Sequence, residues 1–96
     1  MQISSLITSN GKPVQAQNIL RDKGAVTLIR IDQDAVLRDH ESVSEALLIL
    51  LSGRARYETA AGDSTLLQQP QDFVRIPSKL THRVIGLENS LLMLIQ

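Results

Sequence analysis

The fold is decided by residues 45–60, which read EALLILLSGRARYETA. The first half, 45–51, is almost entirely aliphatic, and Ser52-Gly53 ends it. From residue 54 onward the side chains alternate. The alternation places Arg54, Arg56 and Glu58 on one face and Ala55, Tyr57 and Thr59 on the other. A buried strand, a turn and a half-buried antiparallel strand explain this pattern best.

The aliphatic run also allows a helix over 41–51. Ser42-Val43-Ser44-Glu45 can be read as a capping box, and the residues that follow it favour a helix by propensity. Against a helix, the apolar positions are continuous rather than spaced by 3.6 residues, and Gly53 follows closely. We therefore predict a strand.

Two predicted strands, Glu45 to Leu51 and Leu91 to Ile95, are apolar on both faces. A strand of this kind must be covered on both sides. In so small a domain we expect a second subunit to bury part of this surface, which predicts a homodimer. The alternative is that both strands lie in the centre of a sandwich and are covered within the chain.

The rest of the chain has the same rhythm of short apolar runs, broken by turn residues about every ten positions. No linker or repeat interrupts it, so residues 1–96 are predicted to form a single domain. The remaining predicted strands are Val14 to Leu20, Ala25 to Ile31, Val36 to His40, Arg54 to Ala60, Ser64 to Gln69, Phe73 to Ile76 and His82 to Leu87. This rhythm is typical of an all-β sandwich or barrel.

Composition argues against several classes of function. The net charge is zero and only 2% of residues are aromatic, so neither a basic phosphate-binding surface nor a base-stacking platform is expected. We therefore expect no nucleic-acid partner. The absence of cysteine excludes disulfides, zinc–thiolate sites and cysteine nucleophiles.

The same sequence gives no sign of a membrane. No apolar run reaches the ~18 residues that a spanning helix needs. The first residues lack the basic start and long apolar stretch of a signal peptide. We expect a cytoplasmic protein that does not enter a membrane.

The candidate chemistry rests first on His40 and His82. Each lies at the edge of a predicted strand and beside a turn, and Asp39, Glu41 and Glu45 surround the first. The two are 42 residues apart, so only the fold can bring them together. The alternative is that they are two unrelated histidines in loops.

Residues 40–53 and 70–82 resemble the two motifs of the cupin superfamily. Residues 50–55 are similar to the strand-turn-strand unit of many small cupins, and Asp72 to Pro77 is similar to the strand of the second motif. Gln71 and Lys79 stand where the second motif has glycine. The resemblance implies an RmlC-like double-stranded β-helix, that is, a jelly-roll β-barrel, with the motifs at about 36–55 and 70–87.

The resemblance also implies a place for a metal. Cupins typically hold a divalent ion with two histidines and a glutamate from the first motif and a histidine from the second. His40 and His82 match the first and last ligands, but Ser42 and Ala46 replace the other two. Glu45 points to the opposite face of the strand from Ala46. Two imidazoles bind an ion weakly, so we expect no cofactor or a weakly held Zn, Ni, Fe or Mn at His40 and His82.

We expect a ligand pocket inside the barrel. The candidate pocket residues are His40, His82, Ser42, Tyr57, Arg75 and Arg38. An arginine at the mouth of a barrel can hold a carboxylate or phosphate with two hydrogen bonds. The favoured function is small-molecule binding with a weak or absent metal site. The alternatives are a metal-dependent enzyme, an oxygenase or isomerase using His40 and His82, and a dimerising interaction module.

Overall fold

The computed structural model describes residues 1–40 and 43–96, and for residues 39 and 40 it describes the backbone only. Within these residues the chain forms a short 3-10 helix, Ile3–Leu6, and nine β-strands. The strands are β1 (Val14–Arg21), β2 (Ala25–Ile31), β3 (Val36–His40), β4 (Ala46–Ser52), β5 (Ala55–Thr59), β6 (Ser64–Leu67), β7 (Phe73–Ile76), β8 (His82–Gly86) and β9 (Ser90–Ile95). In this part of the chain, no helix has the length and apolar character needed to span a membrane.

The strands form two antiparallel sheets. The five-stranded sheet has the order β1-β2-β9-β4-β7, and the four-stranded sheet has the order β3-β8-β5-β6. Leu48 and Leu92 of the first sheet share one hydrophobic cluster with Tyr57 and Val84 of the second, so the core lies between the sheets. The predicted all-β jelly-roll barrel is confirmed.

The aliphatic run forms strand β4 rather than a helix. It pairs with β9 on one side and with β7 on the other, so a helix would leave β7 without a strand partner and β9 paired with β2 alone. Its side chains alternate in burial. Ala46, Leu48 and Leu50 are buried in the core, and Leu47, Ile49 and Leu51 are half-buried on the outer face. The helix alternative is therefore excluded.

The turn after β4 is formed at Ser52-Gly53, the pair that marks the end of the aliphatic run in the sequence. Gly53 has a φ of +87°, a left-handed conformation that costs glycine little. A Cβ at this position would collide with the backbone oxygen of Asn89 and with Ser90. The Ser90 hydroxyl accepts the N–H of Arg54 at 3.0 Å, so the turn is fixed to the start of β9.

Two positions where the second cupin motif has glycine keep the backbone conformation of glycine. Gln71 has a φ of 82° and Lys79 a φ of 63°. For a residue with a Cβ this conformation costs roughly 1–2 kcal/mol. The two turns therefore form without glycine at these positions.

The N-terminal segment covers part of the outer face of the five-stranded sheet, a feature that the sequence did not predict. Ile7 follows the 3-10 helix and is 3% exposed, and Leu28 of β2 is 0% exposed, yet neither belongs to the core cluster between the sheets. Ser4 and Ile7 line one cavity together with Arg30 of β2. The chain therefore buries by itself part of the apolar surface that we expected a second subunit to bury.

Candidate functional site

His82 is the polar residue at the centre of the candidate site. It opens β8 and is buried, with 2% of its surface exposed. Its Nδ1 lies 3.0 Å from the backbone oxygen of Leu80. A carbonyl oxygen only accepts hydrogen bonds, so Nδ1 carries a proton and donates it. This hydrogen bond orients the imidazole.

Tyr57 lies next to His82 in the core. Its ring centroid is 5.5 Å from that of His82, and the two rings are tilted by 38°. The hydroxyl of Tyr57 is buried and has no hydrogen-bond partner among the described residues. Burial raises the pKa of Tyr57, and the nearby Asp63 carboxylate raises it further. The phenol therefore stays protonated at neutral pH and is able to donate a hydrogen bond.

A small cavity opens beside His82, where β5 ends and β8 begins. Its volume is about 160 Å³, and it is lined by Glu58, Thr59, Ala60, Thr81, His82 and Arg83. The strand register places Thr59 opposite His82 across the two strands. Glu58 and Arg83 form an ion pair at 2.9 Å on the rim, so the two charges largely cancel each other.

The fold places the backbones of His40 and His82 opposite each other on neighbouring strands. The register pairs His40 of β3 with His82 of β8, although 42 residues separate them in sequence. A register shift between Leu37 and His40 marks a bulge in β3. Bulges redirect the residues that follow them and are common beside functional sites.

The described residues do not supply a complete set of metal ligands. Ala46, at the position of the cupin glutamate, is buried in the core, while Glu45 beside it is exposed. In the described part of the chain, no three His, Asp or Glu side chains lie close enough to share an ion. Ser42 and the side chain of His40 lie outside the described residues.

The two candidate arginines do not join His82. Arg75 is exposed on β7, between Val74 and Ile76, which face the core. Its register partner is Leu47, so Arg75 lies on the outer face of the five-stranded sheet. The expectation that it lines the interior is corrected here, because strand register could not be read from the sequence and decides which face a residue occupies.

Arg38 is also exposed, next to Leu37, which packs on the core. The alternation along β3 therefore directs it away from the interior. By contrast, Thr59 and Ala60 line the cavity but were not selected as site residues from the sequence. The alternation in β5 places Thr59 on the same face as Tyr57, and this pattern could have identified Thr59 as a site residue from the sequence.

The fold of this chain is similar to that of several solved structures. No family model and no curated protein matches the sequence. A cupin superfamily protein from Desulfitobacterium hafniense is 18% identical, with a TM-score of 0.88 over 100% of this chain and 87% of that chain. An RmlC-like cupin protein from Desulfovibrio desulfuricans is 8% identical, with a TM-score of 0.85 over 99% and 92% of the two chains. A cupin 2 conserved barrel domain protein from Leptotrichia buccalis is 20% identical, with a TM-score of 0.82 over 98% and 45%.

Proposed function

Because this chain is a small domain with the cupin fold, we propose that it binds a small polar organic molecule inside the barrel, beside His82 and Tyr57. It acts in the cytoplasm as a sensor or carrier, without turnover and with a weak or absent metal site. The observation that carries this proposal is the buried hydroxyl of Tyr57, which has no hydrogen-bond partner among the described residues. A buried polar group without a partner costs about 1–3 kcal/mol, which a ligand oxygen would recover.

The protonation state of Tyr57 favours a ligand that carries a hydrogen-bond acceptor. Tyr57 keeps its proton because its pKa is raised, so it offers an O–H to a carbonyl or hydroxyl oxygen. His82 lies beside it, and its Nδ1 donates to the backbone oxygen of Leu80. A compound that carries a carbonyl or hydroxyl oxygen satisfies Tyr57.

The cavity beside His82 limits the size and charge of a ligand that enters from this side, although Tyr57 is not among its lining residues. A volume of about 160 Å³ is smaller than the ~300 Å³ of the smallest usual drug-sized sites, so it admits a few heavy atoms or one end of a longer molecule. Among its described lining residues, the charged pair Glu58 and Arg83 is joined at 2.9 Å. An uncharged polar ligand fits this rim better than an anion.

The substitution Tyr57→Phe tests the proposal, because it removes the hydroxyl and keeps the ring. We expect affinity to fall about tenfold, the equivalent of one hydrogen bond of ~1–1.5 kcal/mol. Binding is measured by amide chemical-shift titration with acetamide, glycerol, glycolaldehyde and hydroxyacetone. In the wild type, at least one of these compounds should shift the amides of Tyr57 and His82.

Thr27→Val is the matched control for this experiment. It also removes a hydroxyl at nearly constant shape, but Thr27 lies in β2 of the other sheet, where it bonds Asn18. Binding should be unchanged in this variant. Equal affinity of the wild type and Tyr57→Phe for every compound that binds would contradict the proposal.

One observation favours a second candidate, a metal-dependent oxygenase or isomerase. The backbone register pairs His40 with His82, which is the pair of histidines that such an enzyme would use. If an ion is held, these two residues hold it, and the ion would polarise a bound oxygen atom. The described side chains add no third ligand, which is why we place this candidate second.

Metal analysis separates the two candidates. Protein purified without added metal should contain well under one equivalent of Zn, Ni, Fe or Mn by inductively coupled plasma mass spectrometry. The physical reason is that two imidazoles alone retain a divalent ion weakly. One full equivalent, lost in both His40→Ala and His82→Ala, would establish the metal-dependent candidate instead.

A further inference from the structure

Another cavity lies outside the barrel, between the N-terminal segment and the outer face of the five-stranded sheet. We call it the outer cavity, and its volume is about 170 Å³. Ser4 and Ile7 line it from the N-terminal segment, and Arg30 of β2 and Leu91 of β9 line it from the sheet. Arg30 and Leu91 are register partners, so the cavity spans these two neighbouring strands.

Arg30 carries the positive charge of the outer cavity. Its neighbours Ile29 and Ile31 belong to the core between the sheets, so the alternation along β2 places Arg30 on the outer face. Its side chain is half-buried, and within residues 1–40 and 43–96 it forms no hydrogen bond or ion pair. Taking a guanidinium partly out of water without a partner is unfavourable. A carboxylate would be a suitable partner, because it accepts two parallel hydrogen bonds from arginine.

Asp32 brings a negative charge to the same cavity. Its N–H donates to the backbone oxygen of Pro13 at 2.8 Å, which extends the pairing of β2 by one residue. Residues two apart along a strand lie on the same face, about 6–7 Å from each other. Arg30 and Asp32 nevertheless form no salt bridge with each other, and in the described part of the chain Asp32 has no other ionic partner. Both charges are therefore available to a ligand.

A neutral donor lies beside the two charges. The Oδ1 atom of Asn89 accepts the backbone N–H of Gln33 at 2.8 Å, which orients the amide of Asn89. Its Nδ2 has no hydrogen-bond partner among the residues that the structure describes, and Asn89 lines the outer cavity. Nδ2 only donates hydrogen bonds, so it suits a carboxylate oxygen of the ligand.

We propose that the outer cavity binds a free α-amino acid with a small side chain. The carboxylate of the ligand pairs with Arg30 and Asn89, and its ammonium group pairs with Asp32. A simple anion would be repelled by Asp32 and a simple cation by Arg30, whereas a zwitterion satisfies both charges. The volume of about 170 Å³ is well below the ~300 Å³ of the smallest usual drug-sized sites, which favours a molecule of few heavy atoms.

This site is separate from the one proposed inside the barrel. Tyr57 and His82 belong to the four-stranded sheet and do not line the outer cavity. Tyr57→Phe should therefore leave amino-acid binding unchanged. The two proposals can then fail independently of each other.

Amide chemical-shift titration at pH 7 with glycine, alanine and serine tests the proposal. In the wild type, at least one of these amino acids should shift the amides of Arg30, Asp32 and Asn89. Acetate and methylammonium each carry only one of the two charges. Each should bind about tenfold more weakly than the amino acid, because it leaves one charged hydrogen-bonding group without a partner.

Substitutions of the two charged residues distinguish a zwitterion site from an anion site. Arg30→Gln should weaken amino-acid binding about tenfold or more. Asp32→Asn should also weaken it about tenfold, but should leave acetate binding unchanged or stronger. Arg30→Lys keeps the charge and loses the two-pronged geometry, so it should still weaken binding if Arg30→Gln does not fold. Arg21→Gln is the matched control, because Arg21 is an exposed arginine at the end of β1 that does not line the outer cavity.

Three results would overturn the proposal. The first is a wild-type protein in which none of the three amino acids shifts the amides of Arg30 and Asp32. The second is equal binding of acetate and the amino acids. The third is amino-acid affinity that is the same in the wild type, Arg30→Gln and Asp32→Asn.

Discussion

At the scale of single residues, two positions with a side chain adopt a backbone conformation that glycine usually occupies. Gln71 and Lys79 have left-handed φ values at the two glycine positions of the second cupin motif. Ala46 is buried in the core and has no side-chain atom that could bind a metal. The turns at residues 71 and 79 therefore form with backbone strain, and position 46 supplies no metal ligand.

The substitution Gln71→Gly should stabilise the protein. It relieves about 1–2 kcal/mol of left-handed strain, partly offset by the greater freedom of glycine in the unfolded chain, for a net gain of roughly 0.5–1 kcal/mol. Urea denaturation measures this gain. Gln69→Gly is the control, because Gln69 has no positive φ, and it should lower stability. Destabilisation by Gln71→Gly would show that the glutamine side chain stabilises the turn.

At the scale of elements, the sequence predicted the strands whose residues show a local pattern of apolar and polar side chains. The alternation of residues 54–60 identified the buried face of β5, and the continuous run before Gly53 identified β4. The 3-10 helix Ile3–Leu6 was missed, because four residues are too few to show a helical period. The outward position of Arg75 was missed as well, because it depends on the register of β7 against β4.

The turn between β6 and β7 depends on one carboxylate. Asp72 accepts the N–H groups of Gln68 at 2.9 Å and of Gln69 at 3.0 Å. These hydrogen bonds lower the pKa of Asp72 below its ordinary value of 3.8. A pKa that is lower in the folded state stabilises the protein above the unfolded pKa, and this contribution is lost as pH falls through the folded pKa.

Asp72→Ala should therefore lower Tm at pH 7, and the difference in Tm from the wild type should shrink as the pH is lowered to about 3. Thermal unfolding across this pH range gives the measurement. Asp22→Ala, in the exposed turn after β1, is the control and should shift Tm little at any pH. A difference in Tm that stays constant with pH would mean that the Asp72 charge does not hold the turn.

At the scale of the whole molecule, the two sheets contribute different features. The four-stranded sheet places Tyr57 and His82 side by side in the interior, and the five-stranded sheet carries the exposed Phe73 on β7, at its edge. The sequence predicted an excess of apolar surface from two strands with two apolar faces. It could not predict that the N-terminal segment covers part of that excess, because contacts between distant segments leave no local pattern.

We propose that the buried Tyr57 hydroxyl and His82 hold a small organic ligand rather than a tightly bound metal. A crystal structure of protein purified without added metal distinguishes the two, with diffraction data collected at the absorption edges of Zn, Ni, Fe and Mn. We expect electron density for a small organic molecule within hydrogen-bond distance of the Tyr57 hydroxyl. A fully occupied anomalous peak bound by His40 and His82, with the Tyr57 hydroxyl still unpartnered, would contradict it.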